Sequence, residues 1–153
     1  MNRWYFEFAY ETLGHPHELG RGDLILNEGN IPVLELKART GSVNSQGELV
    51  NSISPGIWTI RAPSIPTKEK GMVVDHTKPA FKLRLWDSTG QWTHYLIHAD
   101  EPPGGSLGCI VTDPIYGNCI TLYDRIDHIM ITQHIIPVFI NMDVPKEERD
   151  GTA

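Results

Sequence analysis

The chain has 153 residues, enough for one domain that buries most of its apolar surface without disulfide staples. With 40% hydrophobic and 21% charged residues it has the make-up of a globular protein, not of a disordered segment. A formal net charge of −6, with no basic cluster longer than Lys68-Glu69-Lys70, argues against a nucleic-acid binder.

The opening MNRWYFEFAYETLG carries Glu7 and Glu11 and lacks an apolar segment followed by a small-residue cleavage site, so no signal peptide is expected. Within it Trp4, Phe6 and Phe8 alternate with Tyr5, Glu7 and Ala9, the period of a strand. LILNEGNIPVLEL, residues 24–36, reads as a hairpin about Glu28-Gly29-Asn30. Its second arm sets Val33, Glu35 and Lys37 against Leu34, Leu36 and Ala38. Residues 38–56, ARTGSVNSQGELVNSISPG, are polar and turn-rich and are expected to form a long surface connection.

After Pro55-Gly56, GIWTIRA is a strand, and PSIPTKEKG a second loop. FKLRLWD alternates, with Phe81, Leu83 and Leu85 inward and Lys82 and Arg84 outward. STGQ turns the chain into WTHYLIHA, the antiparallel partner. From Ile120 the pattern changes: Leu122, Ile126, Ile129 and Met130 form one helical stripe. IIPVFINM closes the domain as a strand, and residues 146–153 are a solvated tail. The longest apolar run, Ile129 to Met142, is broken by Gln133, His134 and Pro137, so no membrane span is expected. The expected fold is one mainly β domain over 1–145, a mixed antiparallel sandwich or barrel-like sheet with one helix after the cysteine loop.

The run YLIHADEPPGGSLGCIV, 95–111, holds the candidate chemistry. A buried cysteine is by default a small hydrophobe. Cys109, however, follows Ser106-Leu107-Gly108 and a Pro102-Pro103-Gly104-Gly105 hinge, where backbone amides can converge on one point. A glycine just before it lets a substrate carbonyl approach, and nearby amides can serve as an oxyanion hole. His98 ends a strand eleven positions earlier, and in an antiparallel arrangement the loop would fold it back onto Cys109. Ser106 either steadies the loop or is a plain turn serine. Asp100 and Glu101 either orient His98 or are solvated.

Cys109 and Cys119 are far enough apart to close a loop, although unpaired thiols suit a cytoplasmic origin better. Cys119 sits at a Gly117-Asn118 turn and reads as structural. His94 and His98 share a strand face but stand about 13 Å apart at ~3.3 Å per residue, too far for one metal, and no CxxC is present. No metal and no cofactor are expected. His15, His17 and Asp75-His76 receive no role. His128 and His134, downstream of the cysteine, leave open a papain-like order. Pro114 opposes it, because such a cysteine heads a helix that this proline would stop.

The order strand–His98–loop–Ser106-x-Gly108-Cys109-Ile110, then LYDRI at 122–126 and IIPVFI at 135–140, resembles the catalytic half of an L,D-transpeptidase (YkuD-like) domain. SPGIWTI, 54–60, is similar to that family's Pro-Gly strand, and the likeness spans roughly residues 30–142. Leu107 stands where the usual motif has a second histidine, the His98–Cys109 interval is shorter, and neither Arg nor Asn follows the cysteine. In these respects the chain is closer to the divergent, signal-less branch delivered as type VI secretion effectors.

The resemblance implies that Cys109 attacks a diaminopimelate carbonyl in a peptidoglycan tetrapeptide stem and expels D-Ala through a thioester. His98 would be base and then acid, with Gly108 and Ser106 supporting the oxyanion and the loop. L,D-carboxypeptidase activity or D-amino acid exchange follows, according to the acceptor. With no signal peptide and no membrane span expected, synthesis as a soluble cytoplasmic protein is expected. The resemblance further implies action in the periplasm after non-classical secretion, with an immunity protein or secretion-apparatus component as partner. The competing expectation is a non-catalytic binding module, from a phage or a secretion apparatus, on the same fold.

Overall fold

In the computed structural model the described residues are 3–11, 20–46, 49–61, 82–99, 109–112 and 118–142. They form β1 (Trp4–Glu11), β2 (Gly20–Glu28), β3 (Ile31–Thr40), β4 (Ser42–Val43), β5 (Leu49–Val50), β6 (Gly56–Arg61), β7 (Lys82–Trp86), β8 (Trp92–Ala99), β9 (Ile110–Thr112), α1 (Asn118–Ile129) and β10 (Ile135–Met142). Eight of these strands close a barrel in the order β1-β10-β6-β7-β8-β9-β3-β2, while β4 and β5 pair as a small separate hairpin. The domain is mainly β, and the sheet closes on itself instead of splitting into two packed layers.

Period-2 alternation gives the barrel its apolar interior. Phe6, Phe8 and Tyr10 of β1, Leu24 and Leu26 of β2, Leu83 and Leu85 of β7, and Ile136, Val138 and Ile140 of β10 all point into one core. A ring of eight strands is narrow enough for side chains to fill, and these inward residues are 0–2% exposed. Leu122, Ile126, Ile129 and Met130 add the helical stripe to the same core. Gln133 then ties the exit of α1 to the barrel: its Oε1 accepts from the Trp4 N–H at 3.0 Å, and its Nε2 donates to the Trp4 and Ile135 carbonyls at 2.8 and 3.0 Å. The helix therefore covers the barrel end at which β1 and β10 begin.

Two expectations change. The 38–56 stretch is not simply a surface connection. β3 extends to Thr40, and Ile53 is buried in the core. Its N–H donates to Thr40 Oγ1 at 3.0 Å and its carbonyl accepts from Tyr10 O–H at 2.5 Å. One apolar side chain with both backbone groups satisfied inside pulls a polar segment inward. The second change concerns α1, which starts at Asn118 and so takes Cys119 into its first turn instead of leaving it in a loop. Residues 62–81, the 100–108 loop with Ser106 and Gly108, His15, His17, Pro114 and the 146–153 tail lie outside the described residues.

β1 is held on both sides, antiparallel to β2 and parallel to β10. Gly22, opposite Tyr10, is where β2 comes closest: a Cβ there would overlap the Ala9 carbonyl oxygen. Backbone cannot swing aside as a side chain would. Gly22→Ala is therefore expected to lower stability by about 3 kcal/mol, measured by urea denaturation, whereas a loss below about 0.5 kcal/mol would show that the two strands separate easily.

Candidate active site

β8 lies between β7, to which it is antiparallel, and β9, to which it is parallel. The expectation of an antiparallel return from His98 to Cys109 is thus corrected. β9 runs beside β8 in the same direction, a pairing that a tight hairpin cannot connect. In this parallel register Ile97 faces Ile110 and His98 faces Val111. Cys109, one residue before Ile110, continues the ladder to the level of Leu96.

Alternation fixes the faces. Ile97 and Ile110 belong to the core, so their neighbours His98, Leu96, Cys109 and Val111 point to the outer wall. His98 and Cys109 therefore occupy the same face of adjacent strands, two residues out of register. At ordinary strand spacing and rise this puts their Cα atoms about 8 Å apart, with both side chains on one side of the sheet.

Adjoining positions complete the surroundings. Arg39 of β3 pairs with Val111, so Arg39, Val111 and His98 form one row across three strands. All three face outward, yet their exposures are 1%, 0% and 6%, so this part of the outer wall is shielded from solvent. Farther up β8 the wall opens: His94 is exposed and Trp92 is 48% exposed. Across from Leu96 stands Arg84 of β7. Its Nη1 donates to the Thr93 carbonyl at 2.9 Å and its guanidinium lies 4.2 Å from the centre of the Trp92 ring, against whose edge His94 packs at 4.8 Å. The ladder is irregular here, the step from Arg84 to Trp86 spanning Leu96 to Trp92 on the partner strand. Such bulges re-aim side chains next to functional sites.

Cys109 is half-buried and carries a thiol, not a disulfide, which settles the pairing left open with Cys119. Burial pushes its pKa up, because a thiolate loses hydration there. The Leu96 N–H and the positive charge of Arg84 act in the opposite direction without cancelling it. The resting group is the neutral thiol, a weaker nucleophile than the thiolate.

His128 and His134 stand elsewhere. His134 precedes β10, which is opposite β9 in the eight-strand ring, and His128 lines a cavity of about 370 Å³ with Trp4, Thr121, Arg125 and Ile129. That cavity lies beside β1, the strand directly opposite β8, and does not reach Cys109. Among the described residues no cluster of three or more His, Cys, Asp or Glu is placed to hold a metal ion. No described helix is long and apolar enough to cross a membrane.

The sequence reading gave Arg84 an outward position and no role. The signal was present in the STGQ turn, which aligns β7 with β8, but the irregular step after Arg84 hides which β8 residue it meets. Arg39 was lost inside an apparently polar loop. The chain matches no protein-family model, and no curated protein or solved structure is significantly similar to it.

A protonated resting thiol has a visible consequence. Alkylation of Cys109 by iodoacetamide, followed by mass spectrometry, should lag behind an exposed peptide cysteine near neutral pH and rise only above the ordinary thiol range. Fast labelling at pH 6 would instead reveal a preformed thiolate–imidazolium pair.

Proposed function

We propose that this chain is a cysteine-dependent peptidoglycan-modifying enzyme of the L,D-transpeptidase type, acting on tetrapeptide stems with Cys109 as nucleophile and His98 as general base. The observation that carries this reading is the β8–β9 register, which gives His98 and Cys109 the same outer face of neighbouring strands. An eight-strand barrel with one helix after β9 and a Pro-Val strand at its close also agrees with the order of motifs that suggested the family.

The chemistry follows from the two groups. The His98 imidazole takes the Cys109 proton as sulfur bonds to the diaminopimelate carbonyl carbon, whose π electrons move to oxygen. Backbone amides near Gly108 and Cys109 would hold that oxyanion. As the carbonyl re-forms, the C–N bond to D-Ala breaks and the imidazolium gives its proton to the departing amine, leaving a thioester. Water, deprotonated by His98, then attacks the thioester, releasing the shortened peptide and returning the proton to sulfur. A D-amino acid in place of water gives exchange. Leu107, where a second histidine is usual, removes one group that would orient the thiol, so hydrolysis or exchange is favoured over crosslinking. Periplasmic action as a secreted antibacterial effector, neutralised by an immunity protein, belongs to the same proposal.

A second reading, a non-catalytic binding module, draws on the thiol's burial and raised pKa. Tetrapeptide muropeptides separate the two. The wild-type protein should release D-Ala, Cys109→Ala should release none, and His98→Ala should slow release about 10²- to 10⁴-fold. Undiminished D-Ala release by Cys109→Ala would end the enzyme reading.

A further inference from the structure

Arg84 stands level with Cys109, two strands away on the same outer wall. In an acidic protein an arginine ordinarily finds a carboxylate, as Arg3 does with Glu28 at 2.8 Å. Arg84 instead meets a carbonyl and an indole: Nη1 donates to Thr93 O, and the guanidinium lies over Trp92. Among the described residues no carboxylate lies within ion-pair distance of it. A guanidinium has five N–H donors, and these contacts fix its plane while leaving most of them unused. The irregular step in β8 creates this seat, bringing the Thr93 carbonyl and the Trp92 face to the same side as Arg84.

Its position relative to the reacting pair is set by the ladders. Arg84, Leu96 and Cys109 occupy one level of β7, β8 and β9, all on the outer wall, with His98 two residues along on that wall. We propose that Arg84 is the anion anchor of this site, holding the free terminal carboxylate of the residue to be expelled while Cys109 attacks the preceding carbonyl. The assignment rests on the cysteine-enzyme reading above and narrows it. A site whose cation claims the terminal carboxylate removes one residue from a chain end and does not cut within a chain. Bidentate pairing of guanidinium with carboxylate supplies direction as well as attraction, and a planar cation held on an indole loses little freedom in making it. Arg84 also acts on the sulfur, since its charge opposes the rise that burial gives the thiol pKa.

Two measurements test the anchor, one independent of turnover. Cys109 in the folded protein is alkylated with iodoacetate, an anion, and with iodoacetamide, its neutral counterpart, and each cysteine is quantified by peptide mass. Both rates scale with the thiolate fraction, so their ratio isolates the attraction of an anion to the site. Arg84→Met should lower the iodoacetate-to-iodoacetamide ratio about tenfold, while Arg84→Lys, which keeps the charge, should retain most of it. An unchanged ratio in Arg84→Met overturns the anchor whether or not the protein is an enzyme. The second measurement compares a tetrapeptide stem with its C-terminal amide. The wild type should prefer the free acid about tenfold in kcat/KM, and Arg84→Met should lose that preference mainly through KM. Turnover indifferent to amidation keeps the enzyme and removes the anchor. A ratio that falls as expected without turnover of any stem peptide keeps the anchor and removes the peptidoglycan reading.

Discussion

Everything proposed for this protein depends on the short parallel ladder between β8 and β9. Three paired positions, Ile97 with Ile110, His98 with Val111 and Ala99 with Thr112, fix which side chains share a face. A slip of one residue would send Cys109 to the core side and His98 away from it, since side-chain direction alternates at every step. The ladder is short, but slippage is opposed on both sides. Ile97 and Ile110 are completely buried in the packed barrel, and β9 is simultaneously paired to β3 through Ala38, Arg39 and Thr40. Closure of the ring transmits that constraint around all eight strands, because a displaced β9 would have to shift β3 and β2 with it.

The outer wall near this ladder is not uniform. It is shielded at Arg39, Val111 and His98 and open at Trp92 and His94. Cys109 sits between these zones, half-buried. Such a gradient suits a nucleophile that must meet a solvent-borne peptide yet react against a dry base. Burial keeps the sulfur protonated at rest, so the proposed mechanism needs the imidazole as a base in each turnover, unlike one built on a standing ion pair. The cavity lined by Trp4, Arg125 and His128 includes neither Cys109 nor His98.

Much of the barrel was legible in the sequence because alternation is a local signal. Phe6 and Phe8, the hairpin about Gly29, the inward Leu83 and Leu85, and the stripe Leu122–Ile126–Ile129–Met130 all sit where their spacing puts them. What escaped was non-local. Nothing in residues 95–111 distinguishes an antiparallel return from a parallel crossover, because strand direction is decided by how β3 and β7 flank the pair. Ile53 looked like one apolar residue in a polar loop until Tyr10 and Thr40 supplied partners for its backbone. For the site, residue types pointed to His98 and Cys109. Arg84 needed the irregular β7–β8 register, which no periodicity reveals.

The central claim is that Cys109 becomes covalently acylated with His98 as its base. Rapid-quench intact-mass measurement during incubation with a tetrapeptide stem tests it directly. The account predicts a transient adduct equal to the acyl portion of the stem, mapped to the Cys109 peptide and labile to hydroxylamine, as a thioester is. Steady conversion of the stem with no adduct on Cys109 at any time, or an adduct on Cys119 instead, would contradict it.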